Sequence, residues 1–146
     1  MAIVYFDSSA FVKLLVNEDG TDLAIELWDG CDAAVSSRLA YPEVRAALAA
    51  AARSGRIKRG DLALLEQDWE MYWSAVRVVE LTPAVARAAG DLCRKHGLRG
   101  ADGVHLASAL ELLDADPVIA VWDGRLAVGA AAVGLPVAPA PASGSR

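Results

Sequence analysis

A short apolar run near the start of the chain, ended abruptly by polar residues, constrains the fold more than any other feature. The run Ile3–Phe6 is apolar and β-prone, and Asp7-Ser8-Ser9 follows it directly. A run this short suits a central strand of a parallel sheet, buried on both faces. The helical pattern from Ala10 to Val16 predicts that Ser8 or Ser9 caps a helix. Asp7 is then either a turn or capping residue or a site residue at the carboxyl end of a central strand.

Strand-like and helix-like segments alternate along the rest of the chain. Further strands are predicted at 33–36, 76–80, 118–122 and 135–137, with helices at 22–28, 38–54, 83–96 and 101–113, one after Asp61, and a short one before Gly134. This alternation predicts an α/β fold in which a central parallel sheet carries helices on both faces. We expect one domain over residues 1–138 and a disordered tail, rich in Pro, Ala, Ser and Gly, at 139–146.

The composition favours a globular protein and limits its partners. The chain has 146 residues, of which 55% are hydrophobic, and its net charge is −5. This charge argues against non-specific nucleic-acid binding, but it permits a site that reaches phosphates through a bound metal, or a basic protein partner. No apolar run approaches the roughly 20 residues of a membrane span. Cys31 and Cys93 are expected to be reduced, buried thiols, which indicates a cytoplasmic protein.

Four acidic residues lie among apolar neighbours rather than on polar faces: Asp7, Glu43, Asp102 and Asp123. Two follow predicted strands, and two lie near the beginnings of helices, which in this architecture can point to the same edge of the sheet. Carboxylates at close range raise one another's pKa unless a divalent cation neutralises them. Oxygen ligands suit Mg²⁺ or Mn²⁺, whereas each acid taken singly is an ordinary cap or surface charge.

The combined motifs resemble the PIN domain, and more narrowly a VapC-type toxin of a toxin–antitoxin pair. The resemblance covers residues 2 to about 138. The motifs that carry it are Val4-Tyr5-Phe6-Asp7-Ser8-Ser9-Ala10, Tyr41-Pro42-Glu43-Val44, Arg99-x-x-Asp102-x-x-His105-x-Ala107, Trp122-Asp123-x-x-Leu126 and Gly134-Leu135-x-Val137.

The resemblance implies an α/β/α sandwich that cleaves RNA with Mg²⁺ or Mn²⁺, forms a homodimer and pairs with a VapB-type antitoxin. It also implies that the four acids named above are the catalytic, metal-binding set and that Ser9 is the hydroxyl residue of the first motif. One position departs from the family. Val121 stands two residues before the last aspartate, where the family often has Thr or Ser, which puts a hydroxyl-mediated contact and the role of Asp123 in doubt.

Two further residues are candidates for supporting roles. His105 lies three residues after Asp102, on the same helix face, and is either a general base or, as is more frequent, a structural histidine with a hydrogen-bond partner. Arg99 is either a phosphate contact or a surface arginine. His96 is expected to be solvated.

Two patterns fit either a surface role or an ordinary structural one. The basic segment 53–59 could follow an RNA backbone or be a solvated turn. Trp69, Tyr72 and Trp73 could line a partner groove or form a core stripe.

Three other functions stay open at this point. A PIN-like binding module would bind metal without cleaving RNA, and an RNA-processing PIN nuclease would act outside any toxin pair. An aspartyl-phosphate phosphatase would use Asp7 as nucleophile, but such enzymes usually carry a second Asp two residues later, where this chain has Ser9.

Overall fold

The computed structural model of the chain describes residues 1–140, in which five strands and seven α-helices alternate. The strands are β1 (Ile3–Phe6), β2 (Ala33–Ser37), β3 (Arg77–Val79), β4 (Val118–Ala120) and β5 (Val137–Ala138). The helices are α1 (Ser8–Leu15), α2 (Thr21–Gly30), α3 (Ala40–Arg53), α4 (Leu62–Ser74), α5 (Pro83–His96), α6 (Gly100–Leu110) and α7 (Gly124–Ala132).

The strands form one parallel sheet in the order β3-β2-β1-β4-β5. The first strand is central, with Val4 opposite Ala34 on one side and Val118 on the other. Strand order therefore reverses beside β1, and such a reversal opens a crevice at the carboxyl edge of an α/β sheet. The predicted α/β fold with a central parallel sheet is confirmed.

Successive residues of β1 face two separate cores, because side chains alternate along a strand. Ile3 and Tyr5 pack against α6 and α7, while Val4 and Phe6 pack against α1, α3 and α4. All four side chains are buried, as expected for a strand covered on both faces. The sheet is thus the middle layer of an α/β/α sandwich.

The aromatic pattern on α4 belongs in part to the second core. Trp69 is fully buried, and its ring centroid lies 4.9 Å from that of Phe11. Tyr72 and Trp73 are partly buried against the same core. A core role is confirmed for Trp69, and burial of this size dominates core energetics.

The structure corrects the cap predicted for the first helix. The cap of α1 is Asp7, not Ser8 or Ser9, and its Oδ1 accepts a hydrogen bond from the Ala10 N–H at 3.0 Å. Ser8 and Ser9 already lie inside α1, and Ser9 donates its hydroxyl proton to the same Asp7 oxygen at 2.6 Å. The capping interpretation of Asp7 is correct, and the site interpretation depends on what surrounds its carboxylate.

Several element boundaries also differ from the prediction by one to three residues, and two of them are instructive. The helix expected to reach residue 113 ends at Leu110, and a short 3₁₀ turn, Leu113–Ala115, follows it. The last strand is Val137–Ala138 rather than 135–137, because the Leu135 N–H still donates to the Ala130 carbonyl and closes α7, at 3.0 Å.

The prediction of buried thiols is wrong. Cys31 and Cys93 are free and partly exposed, because each lies at or near the end of a helix, Cys31 directly after α2 and Cys93 in the last turns of α5. Residues 141–146 of the predicted disordered tail lie outside the described part of the chain, so the boundary at 138 stays a prediction. Within residues 1–140, no helix has both the length and the apolar character that crossing a membrane requires.

Gly103 permits the close packing of α6 on α5. A Cβ atom at this position would overlap the Cys93 sulfur and lie 2.7 Å from the Ala89 carbonyl oxygen. We expect Gly103→Ala to lower the free energy of unfolding by about 1–3 kcal/mol, as overpacking does, measured by urea denaturation. Gly90→Ala on α5 is the control, because its Cβ meets nothing within 4 Å. Equal stability of the two variants would contradict this account of the contact.

Candidate active site

A small cavity of about 220 Å³ lies at the carboxyl edge of the sheet. It brings together every residue that the sequence indicated for the site. The lining residues are Asp7, Ser8, Ser9, Glu43, Arg99, Ala101, Asp102, His105, Asp123 and Leu126. Four carboxylates that are far apart in sequence therefore share one cavity.

Asp7 is the most deeply buried of these acids, with 3% of its surface exposed. Burial raises the pKa of Asp7 to about 6, although hydrogen bonds from Ser9 and Ala10 and the nearby His105 act in the opposite direction. Both hydrogen bonds are accepted by Oδ1. The carboxylate is thus oriented by its own helix and carries a charge that the protein interior destabilises.

Ser9 links the carboxyl ends of β1 and β4, the strands that Asp7 and Asp123 follow. Its Oγ donates to Asp7 and accepts from the Trp122 N–H at 2.9 Å, directly before Asp123. Val121 is 2% exposed and packs in the first core, so it does not line the cavity. The backbone next to Asp123 is therefore held by a hydrogen bond to Ser9, and no hydroxyl at position 121 contributes.

Arg99 bridges two of the carboxylates. Its Nε donates to Asp102 Oδ2 at 3.1 Å, and one terminal nitrogen donates to Asp123 Oδ2 at 3.1 Å. Asp123 is held in addition by the N–H groups of Arg125 and Leu126, because it caps α7. The arginine is solvent-exposed and paired with two carboxylates, and its contact with a phosphate stays a prediction.

His105 is buried and links the cavity to the sheet. Its Nε2 lies 2.5 Å from Glu43 Oε1, and its Nδ1 lies 2.7 Å from the Tyr5 hydroxyl. Tyr5 was not predicted to belong to the site, because its place in an apolar run gives it the pattern of a core residue. The one available signal was its hydroxyl, since a buried Tyr hydroxyl normally requires a hydrogen-bond partner.

The PIN domain family model matches residues 4–120 of the chain. The chain belongs to the PIN-domain family. Ribonuclease VapC45 of Mycobacterium tuberculosis (strain CDC 1551 / Oshkosh) is 64% identical to it over 140 residues, which are 96% of this chain and 97% of that protein. The sequence resemblance is thereby confirmed, and the chain is a PIN domain of the VapC type.

Solved structures share the fold at much lower sequence identity. PAE2754 from Pyrobaculum aerophilum superposes with a TM-score of 0.69 at 18% identity, covering 93% of this chain and 83% of the other. A toxin–antitoxin complex from Klebsiella pneumoniae gives 0.59 at 17% identity, covering 82% of this chain and 86% of the other. The α/β/α sandwich implied by the motifs is therefore confirmed.

The cavity of this PIN domain carries more negative than positive charge. The four carboxylates offer only oxygen donors, the ligand type that Mg²⁺ and Mn²⁺ prefer. As placed, no three His, Cys, Asp or Glu side chains of residues 1–140 converge closely enough to hold a metal ion. The Arg99 guanidinium lies between Asp102 and Asp123 instead, so ligation by the whole set requires Arg99 to move.

Two predictions outside the cavity also have a structural outcome. His96 is not simply solvated, because its Nε2 is buried and has no hydrogen-bond partner in the described part of the chain. In the basic segment 53–59, Arg56 pairs with Glu18 at 2.8 Å, while Arg53, Lys58 and Arg59 are exposed. A solvated turn and an RNA contact both stay compatible with this segment.

Proposed function

We propose that this PIN domain is a Mg²⁺- or Mn²⁺-dependent endoribonuclease and the toxin of a type II, VapBC-type toxin–antitoxin pair. The observation that carries the proposal is the convergence of Asp7, Glu43, Asp102 and Asp123 on one cavity at the carboxyl edge of the sheet. The relative that is 64% identical is named a ribonuclease, which supports RNA as the substrate.

The four acids are the proposed metal ligands, with Asp7 and Asp102 as the principal pair. Asp7 fits this role because burial destabilises its ionised carboxylate, which therefore gains most from a nearby cation. When bound, the cation supplies positive charge beside the phosphodiester and makes a water molecule more acidic. Asp123 keeps its orientation through its cap bonds, whatever Arg99 does.

The reaction proposed is hydrolysis of an RNA phosphodiester by water. The water oxygen forms a new bond to phosphorus while the bond to the 3′ oxygen breaks, which leaves a 5′-phosphate and a 3′-hydroxyl. The carboxylates orient the water and receive its proton, the departing 3′ oxygen takes up a proton from solvent, and no side chain acts as nucleophile. Arg99 can contact a phosphate oxygen once it leaves its carboxylate partners, because guanidinium binds phosphate and carboxylate with the same geometry.

The proposed protein partners are a VapB-type antitoxin and a second copy of this chain. An acidic cavity in a chain of net charge −5 favours a basic partner segment, whose arginine could pair with the carboxylates and exclude the cation. The structural similarity to a chain of a toxin–antitoxin complex supports this type of partner. We place the pair in the cytoplasm.

The test is cleavage of structured RNAs by the full chain, freed of any co-purified partner. We expect cleavage with Mg²⁺ or Mn²⁺, loss of cleavage in EDTA and recovery on adding excess metal, with 5′-phosphate ends on the products. Cleavage that persists in EDTA would contradict the metal-dependent mechanism. Metal binding without cleavage of any RNA tested would favour a binding module.

A co-expression assay tests the toxin assignment separately. The neighbouring small gene, if it encodes a DNA-binding protein, is expected to suppress both growth arrest and cleavage when expressed with this chain. An active nuclease with no growth effect and no such neighbour would instead indicate an RNA-processing enzyme.

A further inference from the structure

A chain of three hydrogen-bonded side chains runs from the central strand to the cavity. Tyr5 on β1 bonds to His105 on α6 at 2.7 Å, and His105 bonds to Glu43 on α3 at 2.5 Å. Tyr5 is fully buried and His105 is 3% exposed, so their contact is shielded from water, while the Glu43 side chain is 27% exposed where it lines the cavity. Three separate elements, which are distant in sequence, thus meet at one carboxylate.

The direction of these hydrogen bonds follows from the donors available. The Glu43 carboxylate accepts hydrogen bonds, so the proton between it and His105 lies on Nε2, and in the neutral imidazole Nδ1 then accepts from the Tyr5 hydroxyl. A ring nitrogen that accepts a hydrogen bond carries no proton, so the Tyr5 hydroxyl favours this same tautomer of His105. His105 thus donates from Nε2 to Glu43 Oε1.

The position of the Glu43 carboxylate depends on these hydrogen bonds, whereas the other three carboxylates have partners close to them in sequence. Asp7 and Asp123 accept N–H groups from their own helices, and Asp102 pairs with Arg99 three residues earlier. In the described part of the chain, the Glu43 carboxylate has one hydrogen-bond partner, His105, which is 62 residues away in sequence. Glutamate is among the side chains with the most rotamer freedom, so a single buried donor decides where its carboxylate lies.

We infer that Tyr5 and His105 are positioning residues that hold the Glu43 carboxylate in the cavity, with Tyr5 acting through the tautomer of His105. This inference rests on the proposed function, because it assigns how one of the four metal-binding carboxylates is oriented. Neither residue needs to touch the RNA. Groups that orient a metal ligand in this way typically change metal affinity or activity about 10- to 100-fold when they are replaced.

The first test is spectroscopic and needs no activity. Long-range ¹H–¹⁵N correlation spectra of the metal-free full chain are expected to show His105 as the neutral tautomer with the proton on Nε2. Tyr5→Phe keeps the ring and removes the donor, so the same spectrum is expected to show a mixture of tautomers. A wild-type proton on Nδ1, or an unchanged spectrum in Tyr5→Phe, would overturn the inference.

The second test measures Mn²⁺ binding by calorimetry and RNA cleavage on the same proteins. Tyr5→Phe is expected to weaken Mn²⁺ binding and to slow cleavage by about 10-fold each. His105→Gln keeps an amide donor for Glu43 and is expected to retain more of both properties than His105→Leu. In a Glu43→Gln background, Tyr5→Phe is expected to cause no further loss of Mn²⁺ affinity, because its effect passes through Glu43.

Thr21→Val is the control for a general loss of stability. Thr21 is a buried residue outside the cavity whose hydroxyl donates to the Lys13 carbonyl at 2.8 Å, so its removal also breaks a buried hydrogen bond. Equal losses of Mn²⁺ affinity in Thr21→Val and Tyr5→Phe would overturn the inference. If Tyr5→Phe weakens Mn²⁺ binding only when Glu43 is present, and the wild type cleaves no RNA, that result would support the positioning role and contradict the nuclease proposal.

Discussion

Asp102→Asn is expected to lower metal-dependent RNA cleavage by at least about 100- to 1,000-fold, the range seen when one stabilising group is removed from an active site. Asp102 is 5% exposed, lies in the first turn of α6 and lines the cavity. Asparagine preserves the shape of the side chain but removes its charge and one oxygen donor. Arg99 keeps Asp123 as a partner, so the fold is expected to remain intact.

Asp22→Asn is the matched control for this prediction. Asp22 also lies in the first turn of a helix, α2, but it is exposed and outside the cavity. The two variants are compared in single-turnover cleavage with Mn²⁺ and by circular dichroism on heating. We expect wild-type cleavage from Asp22→Asn. If Asp102→Asn cleaves RNA as fast as Asp22→Asn, Asp102 is not a ligand.

The sheet and its central strand could be predicted from local patterns, because each signal is contained within a few residues. Ile3–Phe6 forms β1 with all four residues buried, as a short apolar run in an α/β protein should. Thr82 caps α5 with Pro83 in the first turn, and Gly97 ends the helix at a φ of 64°. Thr82 supplies a side-chain acceptor for a free N–H, Pro83 needs no N–H partner in the first turn, and Gly97 adopts a positive φ that few other residues tolerate, so their positions are informative without a structure.

The contacts within the site were less predictable, because they depend on residues that are far apart in sequence. The acids could be selected by their neighbours, but no local pattern shows that Arg99 joins Asp102 to Asp123, 21 residues later. Tyr5 looks like any core residue until its partner, 100 residues away, is placed beside it. The cap of α1 was misassigned because three consecutive residues, Asp7, Ser8 and Ser9, all have capping side chains.

Asp7→Asn is expected to make the metal-free protein more stable at neutral pH and to abolish cleavage. Burial raises the pKa of Asp7 from an ordinary 3.8 to about 6. The folded state therefore holds this proton more tightly than the unfolded chain does, so the free energy of unfolding falls as pH rises from about 4 to above 6. A pKa shift of this size lowers the free energy of unfolding by about 3 kcal/mol at pH 7.5. Asparagine carries no charge, so Asp7→Asn avoids this loss.

Urea denaturation in EDTA, from pH 4 to pH 7.5, measures this difference directly. The stability advantage of Asp7→Asn over the wild type is expected to be small near pH 4 and to approach about 3 kcal/mol at pH 7.5. Asp22→Asn, an exposed acid, is expected to show no such growth with pH. A pH-independent difference between Asp7→Asn and the wild type would show that the buried carboxylate is not destabilising.

Added Mn²⁺ tests why the chain keeps a carboxylate in so unfavourable a place. A cation bound to the ionised Asp7 offsets the cost of burying its charge, so Mn²⁺ is expected to raise the stability of the wild type and to raise that of Asp7→Asn much less. In that case the same burial that destabilises the empty site strengthens its attraction for the metal. Asp7→Asn is then more stable but inactive, because the carboxylate that binds the metal is the one that destabilises the metal-free protein.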